Sequence, residues 1–366
     1  MKVLHIINNL GSGGAEKLIE ELVPRINKKE GFKVDVLLLT DRKNVFYKNL
    51  EDNNIKVDII SLRKPRSPKN IFHIRRHILE GRYDVVHAHL FPTIYWTSIA
   101  SRLILKNKPK FVLTEHSTYN RRRGKKCLRY LEKFIYSSYD KIISISQQTQ
   151  NNLISWLMPK QNEVDKFIVI ENGIDIEKFK NAKPYKKSEF FYGFDESIKL
   201  VCMTGSFSQQ KDQPTLIKAM KELPQNVHLL LIGEGPLKQK NEKLAKEIGV
   251  DNRVHFLGFR DDVDRIFKTS DIIVLSSHWE GFGLVAAEGM AAGKPVIVSN
   301  VPGLTDVVDG AGILFDKGNE KDLANKINSL LTDAGKYKEI SQLCFKRAAL
   351  FDINTMVKRY IDCYCS

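Results

Sequence analysis

The sequence predicts an α/β protein built from parallel sheets covered by helices, in two domains. A chain of 366 residues is longer than one ordinary core supports and divides into domains. Its apolar runs are short and β-branched on both faces, as in Asp271 to Ser276, the pattern of strands buried from both sides. Glycine-bearing turns lead from such runs into helix-period stretches, so strand, loop, helix and strand alternate.

The stretch Glu280-Gly-Phe-Gly-Leu-Val-Ala-Ala-Glu288 lies between that run and a second one, Lys294 to Ser299. Residues 283–292 read as a helix, stopped by Gly293 and Pro295. In an open parallel sheet, the loop leaving a strand's carboxyl end opens on the ligand crevice, and the amides of the next helix start favour an anion. Gly281 and Gly283 let a backbone come close to such a ligand. At ~1.5 Å rise per residue, Glu280 before the helix and Glu288 inside it stand roughly 8 to 12 Å apart.

The first half begins with a strand, Val3 to Ile7, and the turn Asn8-Asn-Leu-Gly-Ser-Gly-Gly-Ala-Glu16 into a helix carrying Leu18, Ile19, Leu22, Val23 and Ile26. Glu16 stands where a dinucleotide fingerprint needs its third glycine, so NAD is not indicated. Strands are expected at Lys33–Leu39, Val57–Ile60, Asp84–His89, Phe111–His116, Lys141–Ser144 and Phe167–Ile170, with Ser67 and Pro68 as cap and first residue of a helix ending at Gly81. His87 reads as a packed histidine and His89 as a residue at the crevice edge. The run Tyr119 to Arg129, with Arg121, Arg122, Arg123, Lys125 and Lys126, is the densest basic stretch.

In the second half, 180–197 is the linker candidate. Strands follow at Ile198–Thr204 and Val227–Ile232, helix is expected over 320–350, and a last helix over 354–365 carries Met356, Val357, Tyr360, Ile361 and Tyr364 on one face. Asp262-Val-Asp264 offers a metal-holding pair, but its place at a helix start is better explained by N-capping and the helix dipole.

Composition, 42% hydrophobic and 28% charged, is that of a soluble globular protein. The start is too short for a secretory signal, and no run approaches the ~20 apolar residues of a membrane span. Five cysteines without framework spacing indicate reduced thiols and a cytoplasmic location; Cys363 and Cys365 lack the second pair a metal site needs. Residues 1–180 hold 33 Lys and Arg against 19 Asp and Glu, a charge of +14, whereas 181–366 hold 25 against 24. Such asymmetry points to an acidic partner, nucleic acid or an anionic membrane face, or to a solvated basic surface.

Glu, seven residues, Glu with an internal Gly-Phe-Gly resembles the signature of the family 4 retaining glycosyltransferases, and the match runs on through Ala291-Ala-Gly-Lys-Pro-Val-Ile-Val-Ser to Pro302-Gly303. The resemblance implies the GT-B fold: two facing Rossmann-like domains with a deep interdomain cleft, residues 1–180 binding acceptor and 181–350 binding the nucleotide sugar, and a final helix, 351–366, crossing back to the first domain. Glu171-Asn-Gly-Ile-Asp175 matches the interdomain turn.

By the same resemblance, Gly13 and Gly14 admit the donor diphosphate, His116 reaches the transferred sugar, and Gly233 lies in a phosphate-side turn. Phe259 and Arg260, in a loop from Phe256, stand nearest the nucleobase. Lys211 faces the diphosphate, while Ser206 replaces the family's usual arginine and removes one charge-assisted contact. Glu280 positions sugar hydroxyls, Glu288 holds the ribose, and the amides near Phe282, Gly283 and Leu284 stabilise the leaving phosphate. With Glu280, Lys211 and His116 as catalytic residues, the expected activity is transfer from a UDP- or GDP-sugar to a glycan or lipid-linked acceptor, in polysaccharide or glycolipid assembly. No metal, no cofactor and no nucleic acid are expected, and peripheral contact with an anionic membrane is. The rivals are a sugar-nucleotide epimerase of the same fold, which needs no acceptor, and a basic nucleic-acid-binding protein, which shows salt-dependent binding.

Overall fold

The computed structural model describes residues 1–42, 44–118, 123, 125–190 and 195–366. They form two compact units, Met1–Asn172 with Asn354–Ser366, and Gly173–Ile353.

The first unit contains seven parallel strands: β1 (Lys2–Ile7), β2 (Lys33–Leu38), β3 (Lys56–Ile59), β4 (Val85–His89), β5 (Lys110–Glu115), β6 (Lys141–Ser144) and β7 (Phe167–Val169), in the order β3-β2-β1-β4-β5-β6-β7. Crossover helices cover both faces, which is why β1, β2, β4 and β5 are almost wholly buried and their sequences lack a polar alternate. The helix Gly14–Asn27 buries Leu18, Ile19, Leu22, Val23 and Ile26.

The helix after β3 runs Asn70–Gly81, with Lys69 rather than Ser67 at its cap position and no side-chain cap. The buried Asn70 amide donates to the carbonyls of Lys64 and Pro65 (2.9 and 3.0 Å), which makes 67–69 a turn ahead of the helix. The C-terminal helix Ile353–Cys365 packs on this unit, burying Met356, Val357, Tyr360, Cys363 and Tyr364.

The second unit has six parallel strands: β8 (Lys199–Thr204), β9 (Val227–Ile232), β10 (Val254–Gly258), β11 (Ile272–Leu275), β12 (Val296–Ser299) and β13 (Ile313–Phe315), ordered β10-β9-β8-β11-β12-β13. Phe256 to Gly258, expected as loop, complete β10, because this stretch pairs with β9 through a register shift. Of the 180–197 stretch, the helix Lys187–Phe190 belongs to this unit. The span 320–350 is two helices, Glu320–Thr332 and Ala334–Ala348, because Asp333 turns its side chain to cap the second, accepting from the Lys336 amide at 2.9 Å.

Both units are thus Rossmann-like α/β layers, each with its order reversing at one place, between β1 and β4 and between β8 and β11. At such a point the loops that follow the two strands diverge and leave a crevice at the carboxyl edge of the sheet.

Candidate functional site

In the second unit the loops beyond β8 (205–212) and β11 (276–283) are the pair that flank the reversal. Several contacts latch them together. The Ser276 hydroxyl donates to the Asp212 carbonyl (2.8 Å), the His278 amide to the Gln210 carbonyl (2.7 Å), and the Gln210 side chain to the Trp279 carbonyl (2.9 Å). On this frame the Lys211 ammonium forms an ion pair with Oε1 of Glu280, and the Ser277 hydroxyl donates to the same oxygen at 2.8 Å. Both charged side chains are largely buried, so removing either partner strands the other's charge.

The neighbouring loops close in through glycines. Gly233 has φ of +134°, a region that L side chains rarely adopt, and a Cβ there would lie 2.2 Å from the Gly205 carbonyl oxygen. Gly303, after β12, has φ of +87° and abuts the Glu280 carbonyl so closely that a Cβ would stand 2.6 Å away. Gly283 occupies the cap position of the helix Leu284–Ala291, and Phe282 is buried edge-on against Phe351, with centroids 5.3 Å apart. Leu284 begins this helix and Glu288 lies half-buried more than one turn inside it. The first amides of such a helix have no intrahelical acceptor, and the helix dipole is positive there.

Ser206 is exposed, its hydroxyl 3.3 Å from that of Ser208, and its carbonyl accepts from Gln213 at 3.0 Å. Phe259 follows β10 and is 46% exposed. Arg260 is bonded by Nε to Oδ1 of Asp262 (2.7 Å) and by Nη2 to Oδ2 (2.5 Å), and the Tyr185 hydroxyl donates to the same carboxylate at 2.5 Å. Asp262 therefore stands at the cap position of the helix Val263–Thr269 without capping it, contrary to the expectation from sequence. The Arg260 guanidinium, more than any cap, holds its carboxyl down at about 2.

In the first unit, Gly13 and Gly14 are exposed at the start of the helix that follows β1. His116 comes just after β5, part-buried, its Nε2 at 3.0 Å from Nδ1 of His89. His89, expected at a crevice edge, is wholly buried beneath it, and His87 is packed as expected. Of the basic run, Arg121 and Arg122 lie outside the described residues. Arg123 turns inward and pairs with Glu115 at 3.3 Å, a carboxylate that also accepts from the Tyr136 hydroxyl at 2.6 Å, whereas Lys125 and Lys126 are exposed.

The fold brings together Lys211, Glu280, Gly205 and Gly233 in the second unit, while the Arg260 guanidinium is engaged by Asp262. Sequence reasoning passed over Ser277, Gln210 and Asp212. Ser277 had a signal, three positions before Glu280 in the same turn; the other two did not, because their contacts cross between loops distant in sequence.

Known proteins match most of the chain. The family model described as Glycosyltransferase Family 4 matches residues 12–178, and the one described as Glycosyl transferases group 1 matches 185–346. An uncharacterized glycosyltransferase of Methanocaldococcus jannaschii is 30% identical over 346 residues, covering 90% of this chain and 88% of that protein. The chain belongs to glycosyltransferase family 4. This glycosyltransferase is also 28% identical over 314 residues, 81% of the chain and 79% of the relative, to the Escherichia coli UDP-Gal:alpha-D-GlcNAc-diphosphoundecaprenol alpha-1,3-galactosyltransferase. Among solved structures, Anabaena HepE in complex with UDP and glucose matches with a TM-score of 0.87 at 23% identity over 100% of both chains. That likeness shows the fold, GT-B, which the sequence had indicated.

Proposed function

We propose that this glycosyltransferase moves a sugar, with retention of anomeric configuration and without a metal, from a UDP- or GDP-sugar to a glycan or lipid-linked acceptor. The observation that carries the reading is the Lys211–Glu280 pair at the strand-order reversal of the second sheet, where a parallel α/β sheet receives its ligand. The difficult step is departure of an anionic diphosphate as an oxocarbenium-like sugar forms. Lys211 and the amides at Phe282, Gly283 and Leu284 supply positive charge and donors where that anion develops. Glu280, held by Lys211 and Ser277, orients sugar hydroxyls; Glu288 binds the ribose.

Gly233 allows the diphosphate a close approach, Ser206 gives it a neutral contact, and Phe259 with Arg260 meets the base. In the first unit, the family resemblance assigns Gly13 and Gly14 to phosphate and His116 to the sugar. The leaving phosphate takes the acceptor proton, so no protein base is required. UDP is the favoured nucleotide, since the E. coli relative is named for UDP-Gal and HepE was solved with UDP and glucose.

A lipid-linked acceptor accords with one surface of the first unit. The helix Leu128–Tyr136 exposes Tyr130, Leu131 and Phe134 (79%, 46% and 51%) beside Arg129, Lys133, Lys125 and Lys126. Aromatic and basic side chains together suit peripheral docking on an anionic leaflet. No helix among the described residues is long and apolar enough to cross a membrane.

A binding and hydrolysis screen of UDP- and GDP-sugars, with and without chelator, tests the reading. Slow hydrolysis of one donor, undiminished by chelator, is expected. Failure to bind any nucleotide sugar, conversion of donor alone to an epimer, or a tenfold loss restored by magnesium or manganese would refute it.

A further inference from the structure

Beneath His116 the first unit holds a chain of buried imidazoles that the reaction outlined above does not use. His5 on β1 and His87 on β4 are register partners, His89 is two residues on along β4, and His116 follows β5. Nε2 of His116 is 3.0 Å from Nδ1 of His89, and Nε2 of His89 is 3.0 Å from Nδ1 of His5. The hydroxyl of Tyr364 lies 3.3 Å from Nε2 of His5 and 2.7 Å from Nδ1 of His87, whose Nε2 is 2.8 Å from the Thr114 hydroxyl. Both ring nitrogens of His5, His87 and His89 are therefore bonded.

Burial lowers the pKa of His5 and His116 to about 3 and holds His87 and His89 well below the ordinary imidazole range. A neutral imidazole has one N–H and one bare nitrogen. A ring that donates on one side must accept on the other, and the Tyr364 hydroxyl, bridging two rings with one proton, obeys the same rule. All bonds in the chain consequently run in one direction. In one sense His116 donates from Nε2 and leaves Nδ1 bare; in the other it accepts at Nε2 and carries its proton on Nδ1.

We propose that the hydroxyl of Tyr364, on the C-terminal helix, is a positioning group for His116: by joining His5 to His87 it makes the four imidazoles share one direction, so that the tautomer of His116 is coupled to that of His87 at the far end of the chain. His5, His87 and His89 also have the proximity of metal ligands, their atoms lying within 4.8 Å of one another. Their nitrogens are already engaged in the hydrogen-bonded chain, however, so a metal would have to displace those bonds. The consequence for transfer rests on the role proposed above for His116; the coupling itself does not.

The test uses the full chain labelled with 15N-histidine, in which protonated and bare ring nitrogens give separate signals, with His116 assigned through His116→Gln. In the parent the four rings should agree in sense, sharing one balance between the two tautomers. Tyr364→Phe removes one hydroxyl and should leave His116 with two tautomers in a balance no longer shared with His87, although His89 and His5 stand between His116 and Tyr364 in the chain. Thr114→Val should loosen the chain from its other end, and Thr114→Ser, which keeps the hydroxyl, should not; this pair reads the chain even if Tyr364→Phe folds poorly. Donor turnover in Tyr364→Phe should fall about fivefold, the effect of one hydrogen bond, with a melting temperature within about 5 °C of the parent. His116 signals unchanged while those of His5 and His87 move would overturn the proposal. So would equimolar zinc that shifts these signals and raises the melting temperature. A His116 balance no longer shared with His87, with unaltered turnover, would uphold the coupling and refute the sugar-facing role of His116 instead.

Discussion

Acidification should destabilise the first unit well above the pH at which carboxylates titrate. His5, His87 and His89 are fully buried and stay neutral when folded, because desolvation opposes their charging. Unfolded, each returns to a pKa of about 6.5. Since the folded values are lowered, the unfolded chain binds more protons below about 6.5, and stability rises with pH through that window. The stabilisation is fully present above the unfolded value and is lost as pH falls from there towards about 3, the folded value for His5.

Between pH 7.5 and 5.5 each such imidazole costs about 1.4 kcal/mol, hence about 4 kcal/mol for the three; the part-exposed His116 is left out. With an m-value of about 2 kcal/mol/M, the urea midpoint of the first unit should drop by roughly 2 M. Trp279→Phe leaves Trp96 and Trp156, both in the first unit, as fluorescence reporters. Unfolding near pH 6 should also be accompanied by uptake of about two protons by these rings. A midpoint moving by less than about 0.5 M between pH 7.5 and 5.5 would show that the imidazoles are not held neutral.

Lys211→Ala should lower turnover at least ~100-fold, since losing one donor to a developing anion costs about 2.7 to 4 kcal/mol; an unchanged rate in folded protein would place the phosphate elsewhere. Glu288→Ala should weaken donor binding more than it slows the bound complex, because a ribose contact acts nearly equally in ground and transition states. Intact donor affinity with abolished turnover, read by titration and single-turnover kinetics, contradicts that role. On the membrane side, replacing Lys125, Lys126, Arg129 and Lys133 by Gln should cut binding to anionic vesicles at least tenfold, each charge being worth about 1 kcal/mol near the bilayer, and leave donor binding unchanged. Equal sedimentation of parent and variant with such vesicles would reduce this surface to a solvated one.

The sequence by itself determined what local physics controls. Short β-branched runs could only be strands covered on both sides, so β8, β9 and β11 were legible to within a residue or two. The glycines and carboxylates between 280 and 288 marked a candidate ligand loop, because their spacing is internal to one turn and one helix. The tertiary structure decided whatever depends on neighbours brought from afar. Lys211 and Glu280, 69 residues apart, meet because β8 and β11 are adjacent in the sheet, a fact of strand order and not of composition.

Asp262 had the right position for a cap, yet Arg260 and Tyr185 outcompete the helix amides for its carboxylate. Arg123 belonged by sequence to a basic surface and by packing to Glu115. The histidine chain was least legible of all. Its histidines lie on β1 and β4 and just beyond β5, and only parallel register, together with a tyrosine 277 positions from His87, joins them into one hydrogen-bonded line.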